Sequence, residues 1–449
     1  MSNGMLPNYL KLASPNPAEN RAPWYKNVAP TYAGIFLWVV FYMNIAGGTD
    51  DGALAQAGLG LSLLGLVVAA FICHYLFYLV PGLFGMKTGY PLYVVGSSTY
   101  GTLGGFVMPG LLMGLLQFGW MAVNIAVSTK FILLAVGGDG EPGTPAFIVV
   151  AILWGLGAAF VGVKGIQYVA KVATYLPIVP LIMIIVVFFT NVGSAGDFKV
   201  AEDANPWLGF FGIIAIVVGF FATAGAAGVD LAMGSRNAKD VKMGGLVGIA
   251  LAIIVAGGLP LIAIAGANGA NPELNSYAFD AVIRAQGGVL ARSMFILFAI
   301  ASFAPVCFSS FIAANSFGTM FPKVNKMGMV LAGAVVAIIL AVTGVALDLV
   351  GAFSIIGASF GPVCGSMAAD YLLSGRKWSG PRKGINWAGY IAWAVGFVVA
   401  ILPMVDKERF SFITPAPVIA FVIGFVLYAV LAKAGLQPET VELTPGESK

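Results

Sequence analysis

Long apolar runs, each close to the length that crosses a lipid bilayer, fill most of this chain. Only 9% of its 449 residues are charged, 59% are hydrophobic, and the mean hydropathy is +0.93. A soluble domain carries roughly 25% charged residues, so a soluble enzyme, a disordered regulator and a secreted disulfide scaffold are excluded. The composition therefore predicts an all-α polytopic membrane protein.

The apolar runs predict about twelve transmembrane helices when they are divided at charged or Gly/Pro-rich breaks. We number them spans 1 to 12, with predicted bounds 31–49, 57–83, 103–136, 145–165, 169–191, 207–230, 243–267, 290–316, 328–346, 349–374, 385–404 and 412–433. The three cysteines lie within apolar runs and have no Cys or His at metal-binding spacing. We therefore expect no metal centre and no cofactor.

The basic residues predict the orientation of the chain in the membrane. With the N-terminus inside, 17 of the 23 Lys and Arg residues fall in cytoplasmic segments, five fall outside, and Lys130 lies within span 3. Positive residues are retained on the cytoplasmic side, so both termini are predicted to be cytoplasmic. The net charge of +4 is small and its basic residues are dispersed, which excludes a nucleic-acid partner.

Two spans carry glycine-rich stretches that predict interrupted helices. Span 1 contains the run from Gly34 to Asp51, and span 6 contains Gly219-Phe-Phe-Ala-Thr-Ala-Gly225. Solute sites in membrane transporters lie at broken helices in corresponding positions of an inverted repeat, and these two spans are five apart. The alternative is that the glycines only allow close helix packing.

Span 3 contains a polar stripe of Gln117, Trp120 and Asn124 on one helical face. Amides are costly inside a membrane unless they face a partner or a cavity. One interpretation is that a flat solute stacks on the ring of Trp120 while the amides of Gln117 and Asn124 bind its edge. The other is a hydrogen bond between helices, with Trp120 as a packing residue.

The chain resembles the nucleobase–cation symporter family of cytosine, purine, allantoin and hydantoin permeases. The resemblance rests on these segments in order: Gly85-Met-Lys-Thr-Gly89, Gln117-Phe-Gly-Trp120, Gly219 to Gly225 with Asp230, Gly234-Ser-Arg-Asn-Ala-Lys239, Ala368-Ala-Asp-Tyr-Leu372 and Asn386-Trp387. It extends from span 1 to span 12.

This resemblance implies a leucine-transporter-like fold of two inverted five-helix repeats that works by alternating access. The implied organisation is a cytoplasmic segment 1–30, a first repeat 31–191, a second repeat 207–374, two extra helices in 385–433 and a cytoplasmic tail 434–449. The implied protein is a monomer in the cell membrane, surrounded by the lipid bilayer.

The resemblance also implies where a planar solute binds. Trp120 would stack on one face and Phe221 on the other, with Phe220 as the alternative. Gln117 would bind the edge of the solute, and Thr223 would complete its recognition together with a loosened backbone at Ala222. Trp38 in span 1 and Asn124 in span 3 are predicted as further contacts.

Sodium-coupled relatives bind the ion with carbonyls of the first span and hydroxyls of the eighth. At the matching positions this chain has Ala301, Ala304 and Pro305, whose side chains offer no oxygen, although hard cations need oxygen ligands. Ser309 and Ser310, about one turn further on, could substitute if the helix register shifts. The chain thus departs from the sodium pattern, which favours proton coupling, exchange or facilitated diffusion.

Acidic residues are the candidates for proton coupling or gating. Asp50 and Asp51 follow span 1, where they could bind a cation or a proton, or merely form an exposed loop. Asp230 ends span 6 and is expected to pair with Arg236 or another nearby basic residue. Lys130 is expected to extend its ammonium group out of the membrane, with an anion-binding role as the alternative.

These observations predict a secondary transporter of a nucleobase such as cytosine or a purine, or of a similar nitrogen heterocycle. One alternative is the same fold adapted to an amine, amide or guanidino solute. A channel would need rings of like charge or repeated carbonyl motifs, and an enzyme would need a catalytic motif. Neither is found in the sequence, and no cofactor is expected beyond Na⁺ or H⁺ as a coupling ion.

Overall fold

A computed structural model describes residues 6–48, 52–164, 169, 175–321 and 323–443. Within these ranges the secondary structure is helical, with two isolated β-bridges, Ala22 to Ser235 and Arg382 to Thr440, and no strand. Asp50 and Asp51 lie outside the described residues.

The described helices follow the order of the predicted spans. Their bounds are Val28–Phe36 and Val39–Tyr42 (span 1), Ala53–Ile72, Cys73–Tyr78 and Leu79–Thr88 (span 2), Phe106–Leu111 and Leu112–Ala135 (span 3), Pro145–Lys164 (span 4), Ile178–Asn191 and Val192–Asp197 (span 5), Pro206–Ala226 and Gly228–Ala232 (span 6), Ala238–Gly245, Leu246–Leu251 and Ala252–Ala270 (span 7), Gly288–Met320 (span 8), Lys326–Val342 (span 9), Leu349–Leu373 (span 10), Trp387–Val405 (span 11), and Ala416–Leu431 and Ala432–Leu436 (span 12). Shorter helices are Asn8–Lys11, Ala18–Asn20, Trp24–Lys26, Leu92–Val95, Ser97–Tyr100, Pro272–Leu274, Phe279–Gln286, Val345–Leu347 and Lys407–Phe410.

Ten helices in the described part of the chain are long and apolar enough to cross a membrane. The remaining two predicted spans, 1 and 9, are not among these ten helices. Span 9 is apolar but has only 17 residues, and span 1 is divided into two short helices. The protein is therefore an integral membrane protein with an all-helical fold.

The helix of span 1 is interrupted at Trp38, which confirms the predicted break. Val28–Phe36 ends there because Trp38 adopts an extended conformation, with φ −71° and ψ 128°, before Val39–Tyr42 begins. The break lies well before Gly47 and Gly48, the glycines that marked it in the sequence. The break leaves backbone N–H and C=O groups near Trp38 without the partners that a continuous helix would give them.

Span 6 has a slighter break, at Ala227, between Pro206–Ala226 and Gly228–Ala232: Ala227 keeps a right-handed conformation (φ −62°, ψ −7°), and its N–H still donates to the Thr223 carbonyl at 2.9 Å. The expectation of a loosened backbone at Ala222 is wrong, because Ala222 lies inside the continuous helix and is fully buried. The Tyr32 hydroxyl donates to the Ala224 carbonyl at 2.8 Å. A side chain from span 1 therefore binds the backbone of span 6 just before its break.

Close packing places the broken spans against their neighbours. Span 6 packs on spans 2 and 10, and span 8 packs on span 3. A Cβ atom at Gly219 would lie 2.6 Å from the Phe353 carbonyl oxygen, so only glycine allows spans 6 and 10 to approach this closely. This contact lies beside the aromatic residues of the candidate site.

Candidate functional site

A cavity of about 950 Å³ lies where spans 1, 3, 6 and 8 meet. Gln117, Trp120, Phe220 and Thr223 line its inner part, and Trp38 lines it at the break of span 1. The cavity continues to the N-terminal segment, where Tyr9 and Lys26 line it, and to Thr31 at the start of span 1. It therefore connects the two helix breaks with the face of the protein that the charge distribution predicts to be cytoplasmic.

Trp120 and Phe220 form the centre of an aromatic group. Their rings meet edge to face, with centroids 5.2 Å apart and planes at 77°. The ring of Trp38 lies 5.7 Å from that of Trp120. A solute ring between two parallel rings needs them roughly 7 Å apart, twice the ~3.5 Å contact distance of carbon atoms. A solute stacked between Trp120 and Phe220 would therefore require one of these two rings to move.

Phe221, the first choice for the second stacking face, points away from the cavity. It is fully buried and stacks on Phe36, with ring centroids 5.6 Å apart and planes at 21°. The alternative residue, Phe220, is the one that lines the cavity. Successive residues of a helix point about 100° apart, so the packing of Phe221 against span 1 turns Phe220 toward span 3.

The polar stripe of span 3 divides into two parts with different surroundings. Gln117 lines the cavity, and its amide nitrogen lies 3.6 Å from the Met113 sulfur. Asn124 is fully buried, donates to the Ser302 carbonyl at 2.9 Å and accepts from Ser128 and Trp154. Asn124, predicted as a further contact, does not line the cavity, because its amide joins spans 3, 4 and 8.

Span 8 presents carbon atoms to the cavity where a sodium site would need oxygens. Ala301, Ala304 and Pro305 line the cavity, and so does Ser309 one turn further on. Ser310 faces elsewhere: its hydroxyl donates to the Val306 carbonyl at 3.0 Å. At the three positions matched to a sodium site this wall therefore offers no side-chain oxygen, and among the described side chains the hydroxyls that line the cavity from span 8, on Ser309 and Ser316, lie further along the helix.

Asp230 lines the cavity beyond the break of span 6. Its carboxylate accepts from the Leu92 backbone N–H at 3.0 Å. The expected pairing with Arg236 is wrong, since Arg236 binds Asp240 at 2.8 Å. Asp230 therefore links the second part of span 6 to the connection between spans 2 and 3.

Two residues near the site were not predicted from the sequence. Phe353 of span 10 contacts Phe220, with ring centroids 5.3 Å apart, but nothing in its apolar surroundings distinguished it. Asn315 of span 8 lines the cavity nearer the N-terminal segment. A carboxamide in an apolar span is costly without a role, and this signal could have identified Asn315.

The chain is similar to permeases in sequence and to transporters in structure. It is 27% identical to the cytosine permease of Escherichia coli strain K12 over 326 residues, which cover 70% of this chain and 72% of that protein. No protein-family model matches the chain.

Three solved structures share its fold. An inward-facing conformation of Mhp1 matches with a TM-score of 0.68 and 17% identity over 94% of both chains. Mhp1, a nucleobase-cation-symport-1 family transporter, in a closed conformation with bromovinylhydantoin bound, gives a TM-score of 0.65 and 17% identity over 94% of this chain and 95% of that chain. A Na⁺-coupled sialic acid symporter gives 0.57 and 16% identity over 97% and 93%.

Fold and relatives together define a class of protein. The chain shares its fold with membrane transporters, and the proteins it is similar to are permeases and transporters rather than enzymes. In sequence the chain is similar to a cytosine permease, and in fold it is similar to a nucleobase-cation-symport-1 family transporter.

Proposed function

We propose that this chain is a secondary transporter of a nucleobase or a similar flat nitrogen heterocycle, working by alternating access. The observation that carries the proposal is the cavity at the two helix breaks, where Trp120, Phe220 and Trp38 supply aromatic surface and Gln117 supplies an amide. Aromatic rings bind any flat solute, and an amide selects its hydrogen-bonding edge. The similarity to a cytosine permease and to Mhp1, a nucleobase-cation-symport-1 family transporter with bromovinylhydantoin bound, supports the same solute class.

The proposal extends to the organisation of the protein in the cell membrane. The repeats are residues 31–191 and 207–374, followed by two extra helices within 385–433. Segments 1–30 and 434–449 are cytoplasmic, and the functional unit is a monomer. The break at Trp38 in the first repeat and that at Ala227 in the second support this division.

We infer from the wall of span 8 that transport does not depend on a conventional sodium site. Ala301, Ala304 and Pro305 offer no side-chain oxygen, and among the described side chains the hydroxyls that line the cavity from span 8, on Ser309 and Ser316, lie further along the helix. Proton coupling, exchange and facilitated diffusion are all compatible with this wall.

Binding to the purified protein tests the proposal. Cytosine, uracil, adenine and hydantoin are titrated by isothermal calorimetry into the wild-type protein and the Trp120→Ala and Gln117→Ala variants. We expect at least one probe to bind, and each substitution to weaken its binding at least tenfold. The matched control is Trp387→Ala, since Trp387 is 55% exposed and does not line the cavity. Unchanged binding of every probe to both cavity variants would exclude this site.

A second candidate function is transport of an amine, amide or guanidino solute. It is favoured by Asp230, the acidic residue among the described side chains that line the cavity. A carboxylate there can pair with a cationic group. A cationic probe such as guanidinium should then bind the wild-type protein and lose its affinity in Asp230→Asn, while uncharged heterocycles do not bind.

A further inference from the structure

We propose that Thr223 positions the indole ring of Trp120 and does not itself bind the solute. The Trp120 indole N–H donates to the Thr223 hydroxyl oxygen at 3.1 Å, and the two residues are 6% and 4% exposed. This inference rests on the proposed function, in which Trp120 supplies a stacking face. It assigns Thr223 a role different from direct recognition.

The hydrogen bond meets a physical need of the buried indole. Trp120 lies in a mostly apolar group with Trp38, Phe220 and Phe353, and none of these rings offers a conventional acceptor to its N–H. A buried indole N–H normally finds an acceptor, and leaving it unpaired costs the desolvation of that group. Thr223 is the acceptor that the structure provides.

The bond also fixes the direction of the ring. Trp120 lies on span 3 and Thr223 on span 6, so the contact joins two helices that are distant in sequence. It holds the indole edge-on to Phe220, one turn before Thr223 on the same helix. Because two rotatable bonds set the direction of a tryptophan ring, one hydrogen bond at its edge removes much of that freedom.

The two roles for Thr223 predict different patterns of loss. A residue that hydrogen-bonds to the solute contributes to the affinity for each solute according to the hydrogen-bonding groups on the edge of that solute. A residue that orients the stacking ring changes the affinity for all flat solutes by a similar factor, because stacking does not depend on those groups. The comparison across solutes therefore separates the roles.

The experiment measures binding of cytosine, uracil and hydantoin to the full-length protein by isothermal calorimetry. Thr223→Val keeps the shape of the side chain but removes the acceptor, so the freed indole must be ordered when a solute binds, and we expect about tenfold weaker binding of every probe that binds the wild-type protein. Thr223→Ser keeps the hydroxyl and should bind within twofold of wild type. Thr343→Val, at an exposed hydroxyl of span 9, is the matched control and should have no effect.

A double-mutant cycle tests whether Thr223 acts through Trp120. In Trp120→Phe, which has no indole N–H, adding Thr223→Val should cause no further loss. The fluorescence difference between wild type and Trp120→Phe reports the environment of this indole, and it should shift in Thr223→Val but not in Thr223→Ser. If Thr223→Val does not fold, Thr223→Ala replaces it in both measurements.

The outcomes distinguish this inference from the function on which it rests. A loss that differs between probes, or that persists in full in Trp120→Phe, would overturn the positioning role and assign Thr223 to direct binding. If neither Trp120→Phe nor Trp120→Ala alters binding of any probe, the stacking site itself is wrong. If no probe binds the wild-type protein, the proposed function fails, and the inference fails with it.

Discussion

Lys130 and Asp280 form an ion pair, with the ammonium nitrogen 2.7 Å from a carboxylate oxygen and side chains 20% and 5% exposed. Lys130 lies near the end of span 3, and Asp280 lies on the short helix Phe279–Gln286. The backbone N–H of Phe279 donates to the Met43 carbonyl at 2.8 Å. The pair therefore joins span 3 to a helix bound to the end of span 1, on the side of the molecule away from the N-terminal segment.

Removing the cation of this pair is expected to destabilise the protein. Lys130→Met leaves the buried Asp280 carboxylate without its partner, which costs about 3 kcal/mol, and the midpoint of thermal unfolding should fall. Lys199→Met is the control, since Lys199 is exposed and should have little effect. The reversed pair, Lys130→Asp with Asp280→Lys, should recover part of the loss. Equal midpoints for Lys130→Met and wild type would show that the pair does not stabilise the fold.

A methyl group at Gly219 should disturb the aromatic group. The Cβ atom of Gly219→Ala would lie 2.6 Å from the Phe353 carbonyl oxygen, so spans 6 and 10 must separate, at a cost of about 1–3 kcal/mol. Gly157→Ala is the control, because a Cβ there meets no atom within 4 Å and alanine favours helix. Unfolding midpoints of the two variants check the prediction, which fails if both alanines are tolerated equally.

Asp370 is expected to be the most sensitive acidic residue of the described chain. Its carboxylate accepts hydrogen bonds from Ser98, Tyr428 and Gln437, and binds Arg382 at 3.3 Å. Asp370→Asn leaves the largely buried Arg382 without a counter-charge, so we expect a loss of about 3 kcal/mol, measured by thermal unfolding.

The control for Asp370 is Asp406→Asn at a helix N-cap. The side chain of Asp406 accepts from the Arg409 backbone N–H at 3.0 Å, and asparagine caps helices about as well as aspartate. This variant should unfold like wild type. If Asp370→Asn does so as well, the network around Asp370 does not hold spans 10 and 12 together.

Transport is expected to be independent of sodium. The carbon-lined wall of Ala301, Ala304 and Pro305 lacks the oxygen ligands that the ion needs. Uptake of a bound probe into proteoliposomes should therefore stay within about twofold when N-methylglucamine replaces sodium at constant ionic strength. A tenfold fall would show that backbone oxygens and Ser309 suffice for a sodium site, and would contradict this reading of span 8.

The sequence predicted the broad class of the site but not its details. Gln117 and Trp120 line the cavity together with Trp38, Phe220 and Thr223. Phe221 and Asn124 do not, because each packs against a neighbouring helix. Which of two adjacent residues faces a cavity depends on the rotation of the helix, and packing against other helices sets that rotation.

By itself, the sequence determined that the chain lies in a membrane and where most of its helices run, because transfer of apolar segments into a bilayer depends on local composition and length. It also marked spans 1 and 6 as interrupted. Only the tertiary structure placed those breaks at Trp38 and Ala227 and paired Lys130 with Asp280. These features depend on groups that are distant in the chain and meet only after the helices have packed.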